Sequence, residues 1–179
     1  MACRPASIRK TTRRLDRTTG QSRDCVENIM KALLVYGSTW GNTRKVVQRL
    51  PAWLSFPVDI VNVGNLTDDS LFRDYDLLLF FASTSGDQEL QPDMESFLVK
   101  HRPDLAGKPY AVCELGNYFG YDDFEFGAER ILSFLLNQSG GCELVPPFAM
   151  DTFPHRDWNG LARWCNLLND TVCNGHARP

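Results

Sequence analysis

The chain has 179 residues, a net charge of -3 and 43% hydrophobic residues, the profile of one packed domain with no apolar run long enough to cross a bilayer. Its charge is uneven: residues 1–29 carry Arg4, Arg9, Lys10, Arg13, Arg14, Arg17 and Arg23 against Asp16, Asp24 and Glu27, which leaves 12 basic and 19 acidic groups, a net of -7, in residues 30–179. An acidic body speaks against nucleic acid, whose phosphates call for cations, and suits a partner with a basic docking face.

Residues 1–29 hold only scattered apolar side chains and read as a flexible basic extension. They contain no apolar core of the kind a secretory signal needs, and Met30, directly before the first strand, is an alternative start of translation. Residues 30–175 read as the folded domain. Six cysteines (Cys3, Cys25, Cys113, Cys142, Cys165 and Cys173) form no C-x-x-C pair. That excludes the common zinc spacings and favours buried, reduced thiols in a cytoplasmic protein.

The apolar run Ala32–Tyr36 predicts a strand that stops at Gly37. Val46, Val47 and Leu50 then repeat at helical spacing, giving a helix from Asn42 to Leu50 that Pro51 kinks or ends. Val58–Val63 is a second strand, and Leu66–Phe72 a short connector. Leu77–Phe81, apolar throughout, predicts a central parallel strand covered on both faces. Ala82–Gln91 reads as a polar loop, and Met94, Phe97 and Leu98 mark the next helix. Pro109–Leu115 is a fourth strand, Phe124–Leu136 a helix. Glu143–Val145 begins a fifth strand that Pro146 and Pro147 interrupt and Phe148–Met150 resumes. Trp158, Leu161, Ala162, Cys165 and Leu168 give a closing helix. Repeated βα units with right-handed crossovers put helices on both faces of one sheet.

Ligands in such sheets gather beyond the carboxyl ends of the strands. That brings three loops together: Gly37–Thr43, Ala82–Gln91 and Gly116–Asp123. The first, Gly37-Ser-Thr-Trp-Gly-Asn-Thr43, joins a strand to a helix and is rich in hydroxyls and free amides, which suits a phosphate. It contains no lysine or arginine, so it does not match the triphosphate loop, and the G-x-G-x-x-G dinucleotide fingerprint is also absent. The competing account is an ordinary turn in which Thr43 or Asn42 caps the helix. Ser83 and Thr84 of the second loop would stand near the same phosphate. Tyr118, Phe119 and Tyr121 of the third are available to stack on a flat heterocycle, unless they pack in the core. Asp122 and Asp123 would otherwise cap the helix that follows.

These three loops, in this order, resemble those of the flavodoxin family. Ser38-Thr39-Trp40-Gly41-Asn42-Thr43 matches that family's phosphate loop, with tryptophan at a threonine position of the family's S-T-T-G form. Ala82–Gln91 is similar to its second flavin loop, and Gly116–Gly127 to its third. The resemblance implies a three-layer α/β/α sandwich on a five-stranded parallel sheet in the order 2-1-3-4-5. It implies FMN as cofactor and electron transfer as the activity. Ser38, Thr39, Trp40, Gly41, Asn42 and Thr43 would surround the phosphate, and Ser83 or Thr84 would close over it. Backbone groups of Ser85, Gly86 and Asp87 would approach the isoalloxazine. Gly116, Asn117, Tyr118, Phe119, Tyr121 and Asp123 would form the third wall, with Tyr121 or Tyr118 stacked on the ring. Ser85 stands where short flavodoxins often carry a tryptophan, so one ring face is expected to be more open. The chain lacks the insertion of about twenty residues that splits strand five in long-chain members.

With the acidic body, which disfavours added negative charge on a reduced flavin, this reads as a monomeric, low-potential carrier between transient redox protein partners with basic docking faces, with no catalytic residue or metal of its own. An NAD(P)H-dependent reductase of quinones or other small acceptors is the first alternative, and a flavin-free interaction module on the same fold is the second.

Overall fold

The computed structural model describes residues 30–86, 88–117 and 127–176. The extension 1–29, the loop residues Asp87, Tyr118, Phe119, Tyr121 and Asp123, and the first residues of the helix expected from Phe124 lie outside the described residues. Four strands carry the sheet: β1 (Ala32–Gly37), β2 (Val58–Asn62), β3 (Leu77–Ser85) and β5 (Pro109–Gly116). Between β3 and β5 lies a short strand, β4 (Glu89–Leu90). The last position of the sheet is shared by β6 (Cys142–Glu143) and β7 (Phe148–Asp151), four residues apart and separated across Pro146 and Pro147 as expected. The order is β2-β1-β3-β5-β6, with β7 continuing alongside β5, and every one of these pairings is parallel. This is the five-position sheet and strand order expected.

Side chains of a strand alternate between faces, and here that alternation divides the core in two. Leu34 and Tyr36 of β1, Leu79 and Phe81 of β3, and Ala111 and Cys113 of β5 share one face. They meet Val46 and Val47 of α1 (Asn42–Val47) and Leu161, Trp164, Cys165 and Leu168 of α4 (Trp158–His176). Leu33, Val35, Leu78, Phe80, Tyr110 and Val112 take the other face. There they meet Met94, Phe97 and Leu98 of α2 (Pro92–His101) and Ala128, Leu132 and Leu136 of α3 (Gly127–Gln138). Because both faces are covered, β3 is apolar from Leu77 to Ala82 with no polar alternation. Cys113 and Cys165 are free thiols buried in the first of these layers. Burial pushes the Cys165 thiol up to about 11 and raises that of Cys113 as well, so both stay protonated and unreactive at neutral pH.

Two expectations change. The first helix ends at Val47, and Leu50–Ala52 form a separate 3₁₀ turn with Pro51 at its start. Proline lacks the N–H that would continue the α-helix, so the chain tightens one turn earlier than the apolar spacing alone predicts. The stretch Ala82–Gln91 is not simply a loop. β3 continues through Ser85, and Glu89–Leu90 turn back antiparallel against Thr84 and Ser85. Pairing of Ala82 and Ser83 with Glu114 and Leu115 extends the strand beyond its apolar segment, where tertiary pairing outweighs side-chain polarity.

Candidate functional site

The first loop opens at Gly37, which must be small. A methyl group there would stand 2.2 Å from Oε1 of Gln91. Gln91 is itself buried, and its Oε1 accepts the Met94 N–H at 2.9 Å to cap α2. The loop therefore leaves β1 pressed against the start of α2. At its far end Gly41 adopts φ +79°, the left-handed conformation that glycine enters without strain, and α1 begins at Asn42 with no side-chain cap. Neither Asn42 nor Thr43 caps the helix, so the ordinary-turn account of this loop is not what the side chains do.

Thr43 is fully buried, yet its Oγ1 has no hydrogen-bond partner. The buried Oγ of Ser38 is in the same condition. Buried polar atoms are nearly always paired, and both residues line one cavity of about 220 Å³ beyond the carboxyl ends of the strands. Two hydroxyls held in a pocket without protein acceptors are what a bound phosphate would satisfy; the donor set fits such a group.

The same cavity gathers most of the expected residues. From the first loop come Ser38, Thr39, Trp40, Asn42 and Thr43. Ser83, Thr84, Ser85 and Gly86 come from the end of β3 and its turn, and Gly116 and Asn117 from the end of β5. Gly41 shapes the first loop without lining the space. Trp40 lies at the rim with 88% of its surface exposed, so it packs little against the other described residues. Gly86 turns the β3–β4 hairpin at φ +51°, and a methyl group there would approach Glu89 Oε2 to 2.8 Å.

Sequence reasoning missed three contributors. Thr152, just past β7, lines the cavity and donates to the Gly116 carbonyl at 2.7 Å. Arg156, four residues on, donates from Nη2 to Asn42 Oδ1 at 2.9 Å. Applying the carboxyl-end rule to the last strand as well would have brought in this segment. The third is Glu114 on β5, which is 1% exposed. Its Oε1 accepts the Thr84 hydroxyl and its Oε2 the Glu129 N–H. With its proton given to Glu114, Thr84 presents an acceptor oxygen to the cavity. The arrangement has an electrostatic cost at Glu129: its own burial, then the Glu114 carboxylate and Glu143, raise its pKa above the ordinary value. Glu114 sits in an apolar strand pattern, and nothing in that pattern marked it as part of the site.

Among the described residues no cluster of acidic, histidine or cysteine side chains is arranged to hold a metal, and no helix is long and apolar enough to cross a membrane.

Comparison with known proteins agrees with this architecture. The family model for flavodoxin matches residues 34–156. A flavodoxin of Maridesulfovibrio salexigens is 28% identical over 151 residues, covering 79% of this chain and 99% of that protein. Flavodoxin 1 of Azotobacter vinelandii is 30% identical over 129 residues, covering 68% of this chain and 72% of that protein. Among solved structures, a Streptococcus pneumonia TIGR4 flavodoxin superimposes with a TM-score of 0.68 at 23% identity, over 80% of this chain and 99% of that one. A matching family model over most of the chain and a relative spanned nearly end to end together place this chain in the flavodoxin family.

Proposed function

We propose that this chain binds FMN in the cavity beyond β1, β3 and β5 and works as a low-potential electron carrier between redox proteins. The observation that supports it most strongly is the pair of buried, unpartnered hydroxyls on Ser38 and Thr43, in a loop that matches the family's phosphate loop. When bound, FMN supplies the electron-accepting chemistry. The protein binds, orients and shields it.

Ser38 and Thr43 hydroxyls and the Asn42 amide donate to the phosphate, with Thr39 and Trp40 at the mouth of that seat. Thr84, whose hydroxyl donates to Glu114, would have its oxygen free to accept from the ligand's hydroxyls. Ser85 and Gly86 offer backbone groups to the ring edge, and the left-handed φ at Gly86 gives this turn conformational freedom that other residues lack. By the resemblance of their segments to the family's loops, Asp87, Tyr118, Phe119, Tyr121 and Asp123 would complete the ring pocket. A net charge of -7 over residues 30–179 disfavours further negative charge on the ring and lowers its potential. The same charge suits monomeric, transient docking to partners with basic faces. A cytoplasmic location accords with the buried free thiols.

The test is an absorbance titration of the full chain with FMN, followed by stepwise anaerobic reduction at controlled potential. Stoichiometric uptake, with reduction below the potential of free FMN, is the expected result. A protein that stays colourless, or whose flavin reduces at the free potential, overturns it. Steady oxidation of NAD(P)H by the isolated protein would instead support a reductase.

A further inference from the structure

The phosphate seat has an electrostatic peculiarity. None of the described residues that line the cavity carries a positive charge. Arg44, the first cation after the loop, instead lines a separate surface hollow with Tyr36 and Ile60. Yet the segment after β7 brings a guanidinium to the edge of the seat, 114 residues away in sequence from the side chain it meets.

We propose that Arg156 is the specificity-determining residue for the phosphate end of the cavity, holding Asn42 so that its amide donates to the anion and bringing a positive charge to a seat of neutral donors. This rests on the reading that the cavity takes FMN. Three observations support it. Arg156 Nη2 donates to Asn42 Oδ1 at 2.9 Å. A guanidinium can only donate, so it fixes the oxygen end of that amide toward itself. The NH2 group is left as the remaining polar end of Asn42, a residue that lines the cavity. Second, Arg156 Nε is buried with no hydrogen-bond partner, and no carboxylate pairs with Arg156 among the described residues. A partly desolvated charge in that condition needs a counter-charge, and a dianionic phosphate beside Asn42 supplies one. Third, the segment that carries Arg156 is tied to the site independently. Thr152 donates to the Gly116 carbonyl from both its N–H, at 2.8 Å, and its Oγ1, at 2.7 Å.

The ligand class that Arg156 selects is thus the phosphorylated flavin over its uncharged parent. Its role is partly exerted through Asn42, so it is a positioning residue, and charge and geometry can be separated. Apoprotein of the full chain is titrated with FMN and with riboflavin at low and high salt. Arg156→Met is expected to weaken FMN about tenfold, the loss of one charge-assisted contact, and riboflavin less than twofold. The salt dependence of FMN affinity should shrink in Arg156→Met and return in Arg156→Lys, which restores charge without the planar fork. In an Asn42→Ala background the Arg156→Met effect should be smaller than in the wild type. Equal losses for the two flavins, or an unchanged salt dependence, overturn the proposal. Should Arg156→Met fail to fold, Asn42→Asp provides a second readout: its carboxylate pairs with Arg156 and repels the phosphate, so FMN should lose far more than riboflavin. Equal loss for both again overturns the proposal. Failure of the wild-type chain to take up FMN at all would overturn the cofactor reading itself, whereas normal uptake by wild type and Arg156→Met alike overturns only the role of Arg156.

Discussion

Among single residues, the site is distinguished by polar atoms that the fold leaves without partners. Thr43 is the clearest case, since its hydroxyl is fully enclosed and unpaired in the protein alone. Thr43→Val keeps the shape and removes the unpaired oxygen. The apoprotein is therefore expected to keep or gain stability, by about 1 kcal/mol, while FMN affinity falls about tenfold or more and riboflavin affinity changes little. Paired melting curves and flavin titrations check both halves. Glu129 gives a second prediction. Its raised pKa means that between the ordinary carboxyl value of 4.5 and its folded value the native state binds more protons than the unfolded one. Stability contributed by its protonated form is lost as pH rises through that window. Glu129→Gln should flatten this fall and raise the melting temperature at neutral pH. Asp59 acts in the opposite sense. The Tyr75 hydroxyl, then Lys31, lowers its pKa below 3.8, so its contribution disappears only as pH falls into that lower range. The wild-type stability curve should accordingly peak on the acid side of neutrality, and melting temperatures across the range measure it.

Among the elements, the junction of β1, the first loop and α2 links fold to function most tightly. Gly37 ends the strand, opens the phosphate loop and touches the Gln91 side chain that caps α2. Its backbone is not in the left-handed region, so the constraint is space alone. Gly37→Ala forces the buried Gln91 amide away from Met94 and is expected to destabilise the protein by about 2 kcal/mol, combining a lost cap with overpacking. Chemical denaturation would show a lower midpoint with an unchanged slope. The short α1 is explained here too: Pro51 stops the α-helical pattern, and the segment after Val47 closes as a 3₁₀ turn over the same core.

For the molecule as a whole, the proposed behaviour toward partners rests on charge. Residues 30–179 carry 12 basic and 19 acidic groups, so association with a basic redox protein should be steered by long-range attraction. The second-order rate of electron transfer to such an acceptor is expected to fall as ionic strength rises, by about an order of magnitude or more between low and physiological salt. Stopped-flow traces over a salt series test this; a rate independent of salt would argue against a charged docking face.

The division between chain and fold is physical. Strand identity, layer order and the first site loop were legible because they depend on local signals: apolar runs, helical spacing and a hydroxyl-rich turn between strand and helix. Ser38 and Thr43, which line the cavity, fall within those signals. The extent of β3 was not legible, because the pairing of Ala82 and Ser83 with β5 comes from a distant segment. Glu114 was hidden because an inward carboxylate on an apolar strand becomes meaningful only when Thr84 and the Glu129 amide stand beside it. Arg156 carries no motif and lies far along the chain from Asn42. Residue order was enough to say which segments form the sheet and which loop to propose as a phosphate seat. Which charge stands at that seat emerged only on folding, because electrostatics act through space and periodicity runs only along the chain.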